Sequence, residues 1–191
     1  MTGRTHDLAA LTAMVAVVSI SAPKTLALST LLLSLLANQI GGIVPDVDQP
    51  TAPFWRNLPV GSIFGRMFGR LSGGHRFITH SILGLVLFGF GFKMLLTFLS
   101  PILGNVNLGF VWWAFIIGMI SHLFMDTFTK EGVPFLLPFP WKFGLPPLKA
   151  LRITTGKNIE KLIVFPSLII ICAFIFINSQ SVFLALFHTM R

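Results

Sequence analysis

Residues 73–99 read GGHRFITHSILGLVLFGFGFKMLLTFL. The opening third carries two histidines, an arginine and a threonine. From Ser81 to Leu99 the only charge is Lys93. As a helix rising 1.5 Å per residue, that apolar run reaches about 28 Å, close to the roughly 30 Å hydrocarbon core of a bilayer. Backbone groups in lipid must find their hydrogen bonds inside the segment, so such a run must be helical. A polar cluster thus abuts a membrane-spanning helix, and this juxtaposition decides the fold class.

The rest of the chain agrees. Of 191 residues, 54% are hydrophobic and 10% charged, against roughly 25% charged in an ordinary soluble domain. Mean hydropathy is +0.83. Four further apolar runs lie at about Leu8–Ala22, Leu26–Val44, Leu108–Phe124 and Leu162–Ile177. The short links SAPK and SPILGNVN make helical hairpins of runs one and two and of runs three and four. Two long loops, Pro45–His80 and Asp126–Lys161, connect the pairs on the opposite side. The expected fold is all-α, a multi-pass membrane bundle of about five transmembrane helices, with residues 1–191 forming one membrane-embedded domain. Ser179–Arg191 is too short to span and is expected to return to the interface. The N-terminal stretch is not read as a cleaved signal, because His6 and Asp7 would be out of place in one and a second apolar run follows at once.

Net charge is +8. The bases Arg4, Arg56, Arg66, Arg70, Arg76, Lys130, Lys142, Lys149, Arg152, Lys157 and Lys161 all fall on the side of the N-terminus and the long loops. The positive-inside rule makes that side cytoplasmic, and anionic lipid head groups are the expected partners of these bases. No nucleic-acid partner is expected, since neither stacking motifs nor zinc-finger spacing accompany the charge. IFGRMFGRL, residues 63–71, has helical apolar spacing with basic residues between. It suits a helix lying in the interface, or a short core helix. GVPFLLPFPWKFGLPPLK is too rich in proline to be a regular helix. The single Cys172 excludes an intrachain disulfide or a cysteine metal site.

Acidic residues number six and histidines five. His6 precedes the first helix, Asp46 and Asp48 follow the second, His75 and His80 precede or open the third, and His122 and Asp126 close the fourth. Counting crossings sends all seven to one side of the membrane. His122 and Asp126 stand at i and i+4 on one helical face. Asp46 and Asp48 would point the same way in an extended segment after Pro45. Any one of these residues alone reads as an ordinary helix-end or turn residue. Together they suit a divalent metal: zinc first, with manganese or magnesium also compatible. Seven candidate ligands exceed one tetrahedral zinc, so a two-metal centre or supporting roles for some residues both stay open. Gly73 and Gly74 permit close backbone approach, and Arg76 adds a fixed positive charge suited to an anion such as phosphate.

The pieces GRTHDL, VPDVDQP, GGHRFITHS, GMISHLFMDTFTKEGVPFLLPFPWKFGLP and TGKNIEKLI resemble those of the YdjM-like inner-membrane proteins. That family is described as LexA-regulated, membrane-bound metal-dependent hydrolases, similar to zinc-dependent phospholipase C and related zinc nucleases. The resemblance implies a metal centre at His6, Asp46, Asp48, His75, His80, His122 and Asp126, with Glu160 a weaker candidate. Phe77 and Gln49 depart from the family pattern, where glycine and histidine are common. The expected function is metal-dependent hydrolysis of a phosphoester or lipid-like small molecule at the cytoplasmic face. Asp48 or Asp46 would serve as ligand or general base, and Arg76 would steady developing negative charge. The alternatives are a non-enzymatic protein with a structural or sensory metal, and a transporter. The nearly bare helix centres weigh against the transporter.

Overall fold

The structure, a computed structural model, describes residues 1–23, 25–59, 61–71, 76–139 and 141–189. Among them no strand occurs; two isolated bridges, Thr129 with Ile153 and Val133 with Phe143, pin the proline-rich loop. The helices are α1 (Gly3–Ser21), α2 (Leu28–Ile43), α3 (Pro53–Arg56), α4 (Gly61–Leu71), α5 (Ile82–Leu103), α6 (Leu108–Thr127), α7 (Phe165–Asn178) and α8 (Gln180–Thr189). Four helical segments, Leu28–Asp48, Ile82–Leu103, Leu108–Thr127 and Glu160–Asn178, are long and apolar enough to cross a bilayer. The 19-residue α1 packs alongside them against α2, α6 and α7. Its Arg4, His6 and Asp7 make its first turns more polar than those spans. The architecture is a multi-pass helical bundle.

Helix α6 is the central post, touching α1, α2 and α5. Small residues decide how closely α2 approaches it. A Cβ on Gly41 would run into the Phe115 carbonyl, and one on Gly118 into the Asn38 carbonyl. Only bare backbones can meet at such range. The Asn38 amide donates to the Ala114 carbonyl at 3.1 Å, and Thr30 Oγ1 accepts from the Asn107 N–H at 3.0 Å. The helix centres are therefore less bare than the sequence implied. Thr30, Ser34 and Asn38 are buried between α2 and α6, where two of them tie helix to helix.

Two local details differ from expectation and a third follows it. Helix α1 begins at Gly3, so His6 lies in its early turns rather than before it. Pro45 does not end α2. Its fixed φ suits the first turn of a helix, and the chain tightens into a 3-10 turn over Val44–Asp48. Asp46 and Asp48 therefore diverge instead of sharing a face. His80 lies just before α5, whose N-cap Ser81 accepts from the Gly84 N–H at 3.0 Å. On α4, Ile63, Phe64 and Met67 are exposed while Gly69 abuts the Asp48 carbonyl. Helix α8 turns back at Ser179 and lays Val182, Phe183 and Leu186 against Met14, Val18 and Leu26.

Candidate metal centre

The glycine-lined approach of α2 to α6 has a chemical consequence. It brings the Gly42 carbonyl to 2.6 Å from His122 Nδ1. A carbonyl only accepts, so Nδ1 carries the proton and the lone pair sits on Nε2. That Nε2 is buried and has no hydrogen-bond partner. A second relay fixes His80. The Thr79 hydroxyl donates to Asp48 Oδ2 at 2.5 Å, so its oxygen accepts from His80 Nδ1 at 2.9 Å. His80 therefore also turns an unprotonated Nε2 inward.

Two carboxylates meet these nitrogens. Asp46 Oδ1 is 3.7 Å from His80 Nε2 and 3.7 Å from His122 Nε2. Asp126 Oδ2 is 3.5 Å from His80 Nε2 and 3.8 Å from His122 Nε2. The four atoms close a ring. Neighbouring ligands in a tetrahedral zinc site with 2.0–2.1 Å bonds stand about 3.3–3.4 Å apart. The four separations are a few tenths of an ångström longer than that spacing, and Asp46 and Asp126 fall in separate candidate groups.

His6 joins from α1. Its ring stacks on His122 with centroids 3.6 Å apart and planes 8° off parallel, and its Nε2 is 3.3 Å from Asp126 Oδ1. Two ligand triads result: His6, His122 and Asp126, and Asp46, His80 and His122. They share His122, which has one free nitrogen and can serve one ion at a time. Asp126, with two oxygens facing the two groups, is the residue able to link them.

Asp48 stands apart from the ring. Its Oδ2 accepts from the Arg76 N–H at 2.8 Å and from the Thr79 hydroxyl. The first of these bonds holds Arg76 at φ 60°, a left-handed conformation costly for a residue with a Cβ. The Arg76 side chain is buried and engaged. Nη2 pairs with Asp126 Oδ2 at 2.5 Å, and Nη1 donates to Thr129 Oγ1 at 3.1 Å and to the Gly132 carbonyl at 3.3 Å. Its charge is directed at Asp126. The Met1 amino group donates to the other oxygen, Asp126 Oδ1, at 2.5 Å. His75 lies outside the described residues. Glu160 is a member of neither triad. It accepts from the Thr2 N–H, the Thr2 and Thr5 hydroxyls and the Gly156 N–H, all at 2.7–2.8 Å. It thereby staples the start of α1, and with it His6, to the segment entering α7.

The residues fit a divalent cation on two counts. The donor set is imidazole and carboxylate, groups that zinc accepts. The buried His122 Nε2, with its lone pair inward, has no hydrogen-bond partner. Asp46 is 21% exposed while His80, His122 and Asp126 are not. It opens onto a cavity of about 340 Å³ walled by Asp7, Phe54 and Leu58 among others. Thr79, Thr129, the Gly42 carbonyl and Asp7 carry no sequence signal that assigns them to the site. Thr79 stands next to His80, and Gly41–Gly42 sit at the end of α2, but nothing in their spacing announces the contacts they make.

Comparison with known proteins places this arrangement. A family model described as YdjM inner membrane protein matches residues 1–187. The inner membrane protein YdjM of Escherichia coli (strain K12) is 29% identical over 133 residues, covering 63% of this chain and 56% of that protein. Its counterpart in Shigella flexneri matches equally. The uncharacterized protein YvsG of Bacillus subtilis (strain 168) is 29% identical over 125 residues, covering 65% of this chain and 66% of its own. The match to the two YdjM proteins thus spans little more than half their length. No solved structure matches. The chain belongs to the YdjM family of inner membrane proteins.

Proposed function

We propose that this protein is a membrane-bound metal-dependent hydrolase, with zinc held by His80, His122, Asp46 and Asp126 and with His6 extending the site through Asp126. The observation that carries the proposal is the ring of four ligand atoms, in which both imidazoles are locked with Nε2 inward. When bound, the ion supplies an acidified water and a Lewis acid for a phosphoryl or acyl oxygen. The chain's own residues do the rest. Asp48, through Thr79, holds the His80 tautomer. Arg76 fixes the Asp126 carboxylate and neutralises part of its charge. Asp46, the one ligand open to the cavity, meets the substrate side, and the burial of the others excludes bulk water. The substrate is a phosphoester or lipid-like molecule, taken up at the cytoplasmic face where the positive-inside rule sets the loops.

A structural or sensory metal is the second reading, favoured by the near-complete burial of His80, His122 and Asp126. The cavity at Asp46 favours the enzyme, because a purely structural zinc is closed on every side.

Metal analysis of detergent-purified protein tests the centre. Wild type should retain divalent metal after dialysis, and His122→Ala should lose most of it. Equal metal in both would defeat the assignment. Turnover of phosphoester and lipid substrates, lost on chelation and restored by zinc, then separates enzyme from sensor. A reporter fused within the Asp126–Lys161 loop should report the cytoplasm; periplasmic activity would reverse the orientation.

A further inference from the structure

Asp7 lies one residue beyond His6 and belongs to neither triad. It lines two spaces at once. One is the 340 Å³ cavity that reaches Asp46. The other is a groove of about 500 Å³ on the outer side of α1. Arg4, Asp7, Leu8 and Leu11 fall on one face of α1 by helical spacing. Leu35 and Gln39 of α2 and Phe165 of α7 wall the groove. The Gln39 amide donates to the Asp7 carbonyl at 3.3 Å, fixing α2 against α1 at this level. The polar members Arg4, Asp7 and Gln39 sit toward the metal end, and leucines continue down the helices. Leu11 is exposed, so this face is open on the outside of the bundle.

Charge along the path is ordered. Arg4 stands at the groove and offers a cation to a phosphate. Asp7 comes next, at the junction. Among the described residues, the cavity beyond is lined by carboxylates, an asparagine and apolar residues, with no basic side chain. An acidic, largely apolar pocket favours a cationic group over a second anion. We infer that the groove and cavity form a lateral binding site for a zwitterionic, amine-bearing phospholipid. Its acyl chain lies along Leu8, Leu11 and Leu35, its phosphate meets Arg4, and its ammonium meets Asp7. Shared use of Asp7 leads the head group from the bilayer to the cavity at Asp46. The inference deepens the hydrolase reading by naming its substrate class. It rests on that reading for the fate of the lipid and not for its binding.

Native mass spectrometry of the full chain from detergent tests the site, using an equimolar mixture of dioleoyl phosphatidylethanolamine and dioleoyl phosphatidylglycerol. Wild type should retain the ethanolamine lipid in preference by about tenfold, the scale of one ion pair. Asp7→Asn should abolish the preference. Leu11→Trp should lower retention of both lipids, while Ile170→Trp, on the lipid-facing side of α7, should leave retention unchanged. Soluble phosphoethanolamine should not displace the lipid, which distinguishes a membrane lipid from a free phosphoester. Equal retention of the two lipids by wild type would overturn the inference. So would wild-type behaviour of Leu11→Trp, or displacement by the soluble head group. Metal content measured on the same samples separates the two ideas. Ethanolamine selectivity without metal would sink the hydrolase reading and leave the lipid site standing. Metal without selectivity would do the reverse.

Discussion

Thr79→Val tests the geometry at its most specific point. Valine keeps the shape of threonine and removes only the hydroxyl, which in the wild type accepts from His80 Nδ1 at 2.9 Å and donates to Asp48 Oδ2 at 2.5 Å. Two consequences follow. Asp48, fully buried, loses one donor, and a buried polar group left short costs about 1–3 kcal/mol. His80 loses the partner that fixes its tautomer and ring angle, so its Nε2 no longer points reliably between Asp46 and Asp126. Loss of such a supporting bond typically weakens metal binding by about 10–100-fold, or roughly 1.4–2.8 kcal/mol. Competition against a chromophoric zinc chelator measures this directly in detergent. The expected result is a 10–100-fold weaker zinc affinity in Thr79→Val, with Thr79→Ser near wild type because serine restores the hydroxyl. Wild-type affinity in Thr79→Val would mean that His80 is oriented some other way, and the relay from Asp48 would have to be abandoned.

Two further substitutions probe the supports. Gly118→Ala would drive a Cβ into the Asn38 carbonyl, pushing α2 from α6 and stretching the Gly42 bond to His122. A loss of about 1–3 kcal/mol in stability should accompany weaker zinc binding. Gly91→Ala, where the added carbon meets no atom of another element within 4 Å, should change neither, and equal effects of the two would refute the close-approach argument. Glu160→Gln replaces an acceptor held by four donors with a group that must itself donate. Charge-assisted bonds of this kind contribute about 1.5–3 kcal/mol each, so thermal stability should fall clearly. Zinc affinity should fall less than in His122→Ala, because Glu160 acts on His6 only through the start of α1; a loss equal to that of His122→Ala would instead make Glu160 a ligand.

What could be read from the sequence follows from which forces are local. Hydrocarbon demands uninterrupted apolar helices, so Ser81–Leu99 declares itself, and the structure starts that helix at Ile82. Counting crossings then needs no side-chain detail to bring His6, Asp46, His80, His122 and Asp126 to one end of the bundle. The i, i+4 pairing of His122 and Asp126 is a property of helix geometry alone. By contrast, the division of labour between Asp46 and Asp48 depends on whether Pro45 stops a helix or begins a tighter one. Proline is compatible with both. Only the packing of the 3-10 turn against α4 and α6 decides it.

The remaining gap concerns backbone rather than side chains. The His122 tautomer is set by the carbonyl of Gly42, and that carbonyl reaches it only because Gly41 and Gly118 carry no side chain. No titratable residue marks this contact, so a search for histidines and aspartates passes over it. Yet without it Nε2 could be the protonated nitrogen, and His122 would offer the ring a hydrogen where a lone pair is needed. The same logic covers Thr79, a neutral residue whose single hydroxyl decides which face His80 presents. The candidate ligands in this chain are therefore legible from residue type and topology, whereas their readiness is written in glycines and a threonine that interact only once the helices have packed. Gly118→Ala and Thr79→Val should accordingly weaken zinc binding while leaving every proposed ligand in the sequence.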